Sequence, residues 1–397
     1  MTESANPIPR CRAWSEMVPG RFDEATAREA AVRARTHLGG SADLMVLFVS
    51  CDYSEPLKDL IEIMQIHGHC LHVVGCSASG IVAMGREEEE MPGFSMLALK
   101  MEGAELCILP MPCDTEGSEW TQARRWTQNA GTGWIVLGNP ASLGEEWLDE
   151  WNSAAAPAPI YGGLASGSHK ADELFVFTET GIHESSAAVA IGFRGGVRVG
   201  GLVSQGCRPI GEPLTITKVD HHLIHKLASK DAYAQLQSAF QSLPEKMREK
   251  AQGNILVGLA MTEYVEDFHS GDFLVRSILG GDPNNGVLAV GAHPRVGQTL
   301  QFQLRDRDAA EAELLQMLRR QQTELGREPF AAMLFTCGGR GQRMFGVPNH
   351  DAALVQSVFH DLPLAGFFCN GEIGSVGRRA YLHGFTASSA FLVEKPV

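Results

Sequence analysis

A short motif that ends in glycine recurs along the chain, and it constrains the fold more than any other feature. It reads LHVVGCSASG over residues 71–80 and PIYGGLASG over residues 159–167. A weaker copy, PLAGFFCNG, covers residues 363–371 and keeps only the two glycines at the same spacing. Internal recurrence is typical of folds assembled from related supersecondary segments. We therefore predict an architecture of repeated units.

The surroundings of each copy recur as well. An unbroken apolar run of strand length precedes each copy, and a helix with one apolar face lies between the run and the copy. Two further strand-like segments follow. The apolar runs are LMVLFVS (44–50), WIVLG (134–138) and FAAMLFT (330–336). The unit is therefore strand, helix, strand, glycine turn and two strands, which predicts an α/β (mixed α+β) fold built from internally repeated units.

A fourth, degenerate unit is predicted between residues 254 and 304. Its strands are NILVGLAM, FLVRSILG, GVLAVG and TLQFQL, but residues 262–272 have no helical period. Residues 230–243 read as a helix capped by Ser229, and residues 306–325 as a long helix with one apolar stripe. Residues 244–253 are polar, begin with proline and end with glycine, which is typical of a domain boundary.

These observations predict two domains, each with two related units. Residues 1–40 form an N-terminal extension and helix, residues 41–243 form the first domain, and residues 244–397 form the second. The length of 397 residues agrees with this division, because one domain takes roughly 100 to 200 residues.

Charge and cysteine content limit the partners and the compartment. The chain has 47 acidic and 33 basic side chains, and its net charge of −14 repels phosphate backbones and anionic lipid surfaces. We therefore expect neither nucleic acid nor a membrane as a partner. The nine cysteines are odd in number and scattered, which is typical of reduced thiols in the cytoplasm. Residues 1–20 lack the apolar stretch of a secretory signal, and no apolar run approaches the ~20 residues of a membrane helix.

The glycine turns are the first candidates for a binding site. They bring backbone N–H groups to the edge of a sheet without a side chain in the way, which suits a small polar or anionic ligand. In such sheets, ligands bind beyond the carboxyl ends of the strands. The alternative is that the glycines only permit tight turns and close packing. The nucleotide-binding patterns GxGxxG before a helix and GxxxxGK[ST] do not occur, so no cofactor is expected.

Polar side chains at the ends of the first two copies are predicted ligand contacts. Cys76 and Ser77 end the strand of the first copy and Gly80 completes its turn, while Ser166 of the second copy lies at the position that Ser79 takes in the first. Cys76 has two alternative roles, a nucleophile and an inert buried thiol. A nucleophile would need a base that holds it as thiolate. We assign no catalytic residue.

The last copy places opposite charges on neighbouring strand ends. Cys337 and Arg340 follow the first strand in the string CGGRG, and Asn370, Gly371 and Glu372 follow the second. A guanidinium fork suits a carboxylate and a glutamate suits an ammonium group, so the pair would suit a zwitterion such as an amino acid. Alternatively, the two side chains pair with each other or cap loop carbonyls.

Three further features carry charge or metal-ligand atoms. Arg208 follows the predicted strand 197–203 and is another candidate for an anion contact. The histidines within 67–72 and 221–225 lack cysteines or carboxylates at metal-ligand spacing, so no metal site is predicted. The acidic run 87–90 is interpreted as a solvated loop.

In combination, the strings resemble the FIST domain family, in its N-terminal and C-terminal parts together. They are VVGCSASG, YGGLASG, SQGCRPIGEPLTITK, LFTCGGRG and LAGFFCNGEIG before YLHGFT, and the resemblance spans residues 43–393. It implies a FIST N-terminal domain over 41–243 and a FIST C-terminal domain over 244–397. After Gly80 the chain has Ile81, where many members place an acidic residue. The positions that match the family's motifs are Cys76, Ser77, Gly80, Gly206, Cys207, Arg208, Cys337, Arg340, Gly371 and Glu372.

The resemblance implies a sensory module, found in bacterial signalling proteins and in some eukaryotic F-box proteins and proposed to bind small ligands such as amino acids. It implies no settled ligand and no catalytic residue. We expect a cytoplasmic signal-transduction protein that binds a small polar ligand and acts through an unknown partner protein. Two alternatives stay open: an interaction scaffold without a ligand, and a cysteine-dependent enzyme acting on a small metabolite.

Overall fold

The protein, seen in a computed structural model, has a mixed α/β architecture, which confirms the predicted fold class. The structure describes residues 10–114, 117–155, 158–265, 267–268 and 271–395. These form two compact units. The first takes the described residues up to 203, residues 315–382 and those from 386 onward, and the second takes residues 204–314 and 383–385. The domain limits at 40/41 and 243/244 stay predictions.

Strands and helices alternate along much of the described chain. The strands are β1 (Cys11–Pro19), β2 (Ala42–Ser50), β3 (Cys70–Ala78), β4 (Ile81–Ala83), β5 (Arg86–Glu88), β6 (Gly93–Met101), β7 (Ala104–Pro112), β8 (Gly131–Gly138), β9 (Ile160–Leu164), β10 (Val176–Thr178), β11 (Gly181–Ile182), β12 (Ser186–Gly195), β13 (Val197–Ser204), β14 (Cys207–Asp220), β15 (Leu223–Leu227), β16 (Lys230–Asp231), β17 (Ile255–Ala260), β18 (Phe273–Asp282), β19 (Val287–Val290), β20 (Thr299–Arg305), β21 (Ala331–Cys337), β22 (Leu364–Cys369), β23 (Glu372–Val376), β24 (Arg379–His383) and β25 (Ala387–Glu394). The helices are α1 (Glu24–Leu38), α2 (Leu57–Gly68), α3 (Ser118–Gln128), α4 (Glu145–Ala155), α5 (Ala232–Ser242), α6 (Glu245–Ala251), α7 (Arg307–Leu325), α8 (Gly341–Phe345) and α9 (His350–Val358).

Three six-stranded sheets with the same plan make up most of the first unit. Their strand orders are β1-β6-β2-β3-β10-β11, β7-β12-β8-β9-β23-β24 and β13-β25-β21-β22-β4-β5. Two parallel strands lie at the centre of each sheet, namely β2 and β3, β8 and β9, or β21 and β22. Antiparallel strands flank each pair on both sides. The shared plan agrees with the recurring motif, while the four-unit repeat stays a prediction.

Each of these sheets is completed by a hairpin from a different segment of the chain. The hairpin β4–β5 follows β3 along the chain but pairs with β22, where Val82 lies opposite Gly366. In the same way, β10 and β11 extend the sheet of β3, and β23 extends the sheet of β9. Consecutive strands are usually neighbours in space, so this exchange of hairpins had no local signal in the sequence.

The inner faces of the three sheets enclose one hydrophobic core. Phe48 of β2 stacks on Phe367 of β22 with ring centroids 4.8 Å apart. Ile135 and Leu137 of β8, in the third sheet, belong to the same buried cluster. Alternate residues of β2, such as Met45, point to a second core beneath α1 and α2. The strand is therefore buried on both faces, as its unbroken apolar run predicted.

The first glycine of each motif copy packs against the backbone of the neighbouring parallel strand. A Cβ atom on Gly162 would overlap the carbonyl oxygen of Val136 and lie 2.8 Å from its carbonyl carbon. Gly75 and Gly366 would make the same overlap with the strands opposite them. This glycine therefore recurs because the central strands pack closely, which is the alternative that the sequence left open.

The second unit is built on the sheet β14-β20-β17-β18-β19-β15-β16, with α5 and α6. The strand pairs described in it are antiparallel, so residues 254–304 lack the central parallel pair of the other sheets. Helix α5 begins at Ala232 with Asp231 at its N-cap position. The predicted cap at Ser229 was wrong, because Lys230 and Asp231 pair with β15 instead. The polar segment 244–253 contains α6.

Candidate functional site

The three motif copies meet at their carboxyl ends, in the first unit. Ser79, Ser166 and Asn370 hold the same position in the three copies, and we call them the strand-end corner. The Ser166 hydroxyl accepts from the backbone N–H of Ser79 at 2.9 Å and donates to the carbonyl of Phe368. The Asn370 side chain donates to the carbonyl of Ala165 at 2.9 Å. Ser166 is buried, whereas Ser79 and Asn370 are exposed. The corner is therefore a closed hydrogen-bonded junction with two of its side chains exposed.

The other predicted residues of the first copy are buried inside this junction. Ser77 exchanges two hydrogen bonds with Phe175, since its N–H donates to the carbonyl at 2.9 Å and its hydroxyl accepts the amide at 3.2 Å. The carbonyl of Gly80 accepts from Phe368. Cys76 is fully buried, and burial raises the pKa of its thiol well above the ordinary value. A thiol held in its protonated form is a poor nucleophile, so the structure gives no support to a nucleophilic Cys76.

Arg340 forms a buried ion pair. Its Nε donates to one carboxylate oxygen of Asp351 at 2.6 Å and its Nη2 to the other at 2.9 Å, and both side chains are almost fully buried. Thr336 and His350 complete the shell around the same carboxylate. Burial opposes ionisation of Asp351, but the Arg340 charge and the hydrogen bonds outweigh it and hold its pKa below the ordinary value. The guanidinium fork is thus engaged by a carboxylate of the protein itself.

Glu87 lies beside this ion pair, and its interpretation as part of a solvated loop was wrong. It is 9% exposed, in the hairpin β4–β5, and one of its oxygens accepts the N–H of Ala352 at 2.8 Å. Its other oxygen, Oε2, is buried and has no hydrogen-bond partner among the described residues. Burial and the Asp351 charge raise the pKa of Glu87 to about 7. A local run of acidic residues could not reveal this, because the burying segment is far away in sequence.

This pKa predicts a pH-dependent contribution of Glu87 to stability. Because the folded-state pKa lies above the ordinary value of 4.5, the contribution is full below pH 4.5 and is lost as the pH rises to about 7. Glu87→Gln stays neutral and keeps the acceptor for Ala352. We expect the free energy of unfolding of the variant, relative to wild type, to be higher at pH 8 than at pH 4.5 by up to about 3 kcal/mol. Urea denaturation at both pH values measures this difference.

The exposed Glu90→Gln is the control for this measurement, since it should leave the difference from wild type the same at both pH values. An equal difference at both pH values for Glu87→Gln itself would show that folding does not raise the pKa of Glu87.

The remaining predicted residues lie in two places. Glu372 is fully buried in the first unit, and one of its oxygens accepts both the N–H of Thr386 at 3.0 Å and its hydroxyl at 2.7 Å. Cys337 is half-buried in the same unit. Arg208 belongs to the second unit, where its half-exposed side chain forms an ion pair with Asp306 at 3.1 Å. Gly371 is buried against Leu164 of the second motif copy.

A cavity of about 1380 Å³ opens in the first unit, and we call it the strand-end cavity. Its walls come from the loops after β2 and β8, from the turn before α1, and from the segments on either side of the hairpin β10–β11. The lining residues are Arg21, Phe22, Cys51, Asp52, Ser54, Glu55, Pro56, Asp59, Asn139, Ala141, Ser142, Ala171, Asp172, Glu173, Leu174, Phe175, Ile182, His183 and Glu184. It lies where ligands of such sheets bind, beyond the carboxyl ends of the strands.

None of the site residues predicted from the sequence lines this cavity. The signal that could have located it is the first residue after each apolar run, since Cys51 follows β2 and Asn139 follows β8. The residues that follow an apolar run were predicted as site residues only after the last run, namely Cys337 and Arg340. The contribution of residues 171–184 to the walls depends on the exchanged hairpin, which the sequence did not indicate.

Two of the predicted residues nevertheless contact residues that line the cavity. The Cys51 thiol lies 3.6 Å from the carbonyl oxygen of Ser166, and Ser77 holds Phe175 of the wall. Burial raises the pKa of Cys51 against a hydrogen bond with Ser77 that lowers it. Gly167 has a positive φ of 113°, and a Cβ there would lie 2.7 Å from the Cys51 sulfur. Of the predicted residues, Ser77 and Ser166 therefore lie directly behind the cavity lining.

The cavity lining is strongly acidic. It contains six carboxylates and one guanidinium, that of Arg21. Burial lowers the pKa of His183, so its imidazole is neutral at pH 7. The described residues bring no three His, Cys, Asp or Glu side chains together in a way that could hold a metal ion. Among the helices described, none has the length and apolar character needed to cross a membrane.

Comparison with known proteins identifies related sequences along nearly the whole chain. The FIST N domain model matches residues 43–230, and the FIST C domain model matches residues 230–375. An uncharacterized protein of Mycobacterium tuberculosis strain H37Rv is 35% identical over 370 residues, which cover 93% of this chain and 96% of that protein. An uncharacterized protein of Mycobacterium bovis is 33% identical over 371 residues, 93% of this chain and 95% of the relative. An F-box/LRR-repeat protein of Arabidopsis thaliana is 33% identical over 105 residues, 25% of this chain and 20% of its own length.

Proposed function

Since this chain belongs to the FIST family, whose domains are associated with signal transduction and sensory roles, we propose that it is a cytoplasmic sensory protein. In this proposal the strand-end cavity binds a small polar ligand such as an amino acid, and the bound state is read by a partner protein. The single observation that carries the proposal is the cavity itself, placed beyond the carboxyl ends of β2 and β8.

The size and lining of the cavity suit such a ligand. Pockets for small molecules usually measure about 300–1,000 Å³ and hold a few convergent polar groups. At about 1380 Å³ the strand-end cavity has room for a small metabolite with bound water. Its lining combines the apolar Phe22 and Phe175 with carboxylates, an amide and a guanidinium. An amino acid offers both charges that these polar groups would recognise.

The residues singled out by the sequence take a supporting role in the proposal. Ser166 and Asn370 belong to the strand-end corner, and Ser77 holds Phe175 of the cavity wall. Arg340 and Glu372, each bound within the protein, hold loops in place rather than the ends of a zwitterion. The raised pKa values of Cys51 and Cys76 disfavour thiolate, so a cysteine-dependent reaction finds no support in these two residues.

A thermal-shift screen of the full chain tests this function. The probes are the twenty standard amino acids, small carboxylic acids and small amines. We expect at least one probe to raise Tm, because a ligand at about 100 times its Kd adds ~2.7 kcal/mol to the free energy of unfolding. Ala141 is exposed at the cavity wall. Ala141→Trp should place a bulky side chain in the cavity from this wall and reduce the shift, while leaving the Tm of the free protein nearly unchanged.

The matched control is Ala234→Trp, which adds the same side chain at an exposed position of α5. This variant should keep the ligand-induced shift. If no probe shifts Tm, or if the shift in Ala141→Trp equals that of wild type, the proposal that the strand-end cavity is the ligand site is overturned.

A further inference from the structure

We infer that the strand-end cavity selects ligands with a net positive charge, such as a basic amino acid or a diamine, and that Asn139 binds a carboxylate oxygen when the ligand is an amino acid. This inference rests on the proposed function and narrows its ligand class. It draws on two independent features of the cavity, the distribution of its charges and an amide donor that has no acceptor among the described residues.

The carboxylates approach the cavity from two of its sides. Three follow β2, on the way into α2, and three lie in the segments flanking the hairpin β10–β11. They are Asp52, Glu55 and Asp59 on the first side, and Asp172, Glu173 and Glu184 on the second. Because both groups carry the same sign and share one concave space, their fields add inside it. A cation placed between them would be attracted from both sides.

Most of these carboxylates are not neutralised by the protein. Glu173 is bound by Lys170 at 2.6 Å and by the hydroxyl of Ser168. The other five form no ion pair with any residue that the structure describes. Arg21 is the one guanidinium in the lining, and His183 is neutral at pH 7. The cavity therefore keeps a large excess of negative charge that an anionic ligand would increase and a cationic ligand would reduce.

Asn139 supplies the second feature. Its side chain is 8% exposed and lies in the cavity lining. Its Oδ1 atom accepts a hydrogen bond from the backbone N–H of Ala141 at 3.0 Å, so the side-chain NH₂ group points away from this bond. No described residue accepts a hydrogen bond from that group. Because the side chain is mostly buried and its NH₂ has no acceptor within the described part of the protein, this donor is available to an acceptor oxygen on a ligand in the cavity.

The two features together define the ligand. A carboxylate or carbonyl oxygen would accept from Asn139, and ammonium groups would lie against the carboxylates. A basic amino acid carries all of these groups, whereas glutamate or a phosphorylated metabolite would bring negative charge to a negative surface. Because the carboxylates are exposed, dissolved ions screen them, and binding should weaken as ionic strength rises.

Calorimetric titration of the full chain with lysine, 1,4-diaminobutane and glutamate tests the inference. We expect lysine and the diamine to bind at low salt, to bind more weakly when the ionic strength is raised to about 0.5 M, and glutamate not to bind. The double variant Asp52→Asn/Glu55→Gln should weaken lysine binding by about tenfold, equivalent to ~1.4 kcal/mol. The control Glu245→Gln/Glu249→Gln removes two carboxylates from α6, outside the cavity lining, and should bind as wild type does.

The outcomes separate this inference from the function on which it rests. If glutamate or a neutral amino acid binds and Ala141→Trp weakens that binding, the cavity is a ligand site but its selection for cations is overturned. Lysine binding that is equal in wild type and in Asp52→Asn/Glu55→Gln overturns the inference as well. If no probe binds in calorimetry or shifts Tm in the screen, both proposals are overturned.

Discussion

Replacing Arg340 by alanine is expected to lower the free energy of unfolding by about 3–5 kcal/mol in the absence of any ligand. The substitution removes both hydrogen bonds to Asp351 and leaves that carboxylate buried without its main counter-charge. Glu87, a second acidic side chain, lies close by and would raise the cost. Urea denaturation at neutral pH measures the loss.

A second substitution at this position tests the geometry of the pair. Arg340→Lys keeps the positive charge but loses the planar fork, so it should lose less stability than alanine while still falling short of wild type. The sequence allowed another role for Arg340, as the contact for a ligand carboxylate. If Arg340→Ala unfolds as wild type does and only loses a ligand-induced shift in Tm, that role is correct and the structural one is not.

Adding one methyl group at Gly162 should cost about 3 kcal/mol or more and prevent most of the protein from accumulating in folded form. The new Cβ would overlap the carbonyl oxygen of Val136, and its other near neighbours are also backbone atoms of that residue. Backbone in the middle of a sheet cannot move aside without breaking the pairing of β8 with β9. Circular dichroism and thermal denaturation of Gly162→Ala measure the effect.

The matched control is Gly144→Ala. Gly144 has open space around the position of a Cβ and no positive φ, so alanine there should be tolerated. Gly366→Ala should behave like Gly162→Ala, because it meets the backbone of Leu334 in the same way. A folded Gly162→Ala protein with the Tm of wild type would mean that the central strands are further apart than the structure shows.

Local sequence was sufficient to predict most strands and helices. The apolar runs 44–50, 134–138 and 330–336 correspond to β2, β8 and β21, and the long helix 306–325 corresponds to α7. These predictions succeed because the pattern of apolar residues within a short segment reflects which of its side chains are buried. The strand with which each hairpin pairs cannot be predicted in this way, since β4 pairs with β22, which is far away in sequence.

The same division applies to the candidate site. The sequence named Ser166 and Asn370 of the strand-end corner because they lie within copies of a recurring motif, but it did not name Ser79 as a site residue. It could not find the carboxylate that binds Arg340, because Asp351 lies in a helix and has the sequence surroundings of an ordinary surface residue. It also missed the strand-end cavity, whose walls come from segments that meet only after the hairpins have been exchanged. Contacts between segments so distant in sequence produce no local pattern of residues from which they could be predicted.

The exchange of hairpins also has a consequence for how the chain acquires its structure during translation. Residues 81–88 leave the ribosome long before residues 364–369, to which they pair, have been synthesised. Contacts so distant in sequence form slowly and leave strand edges uncovered in the meantime. The nascent first unit should therefore depend on chaperones until its last sheet is complete, and a truncation before β21 should yield aggregated protein rather than a smaller soluble domain.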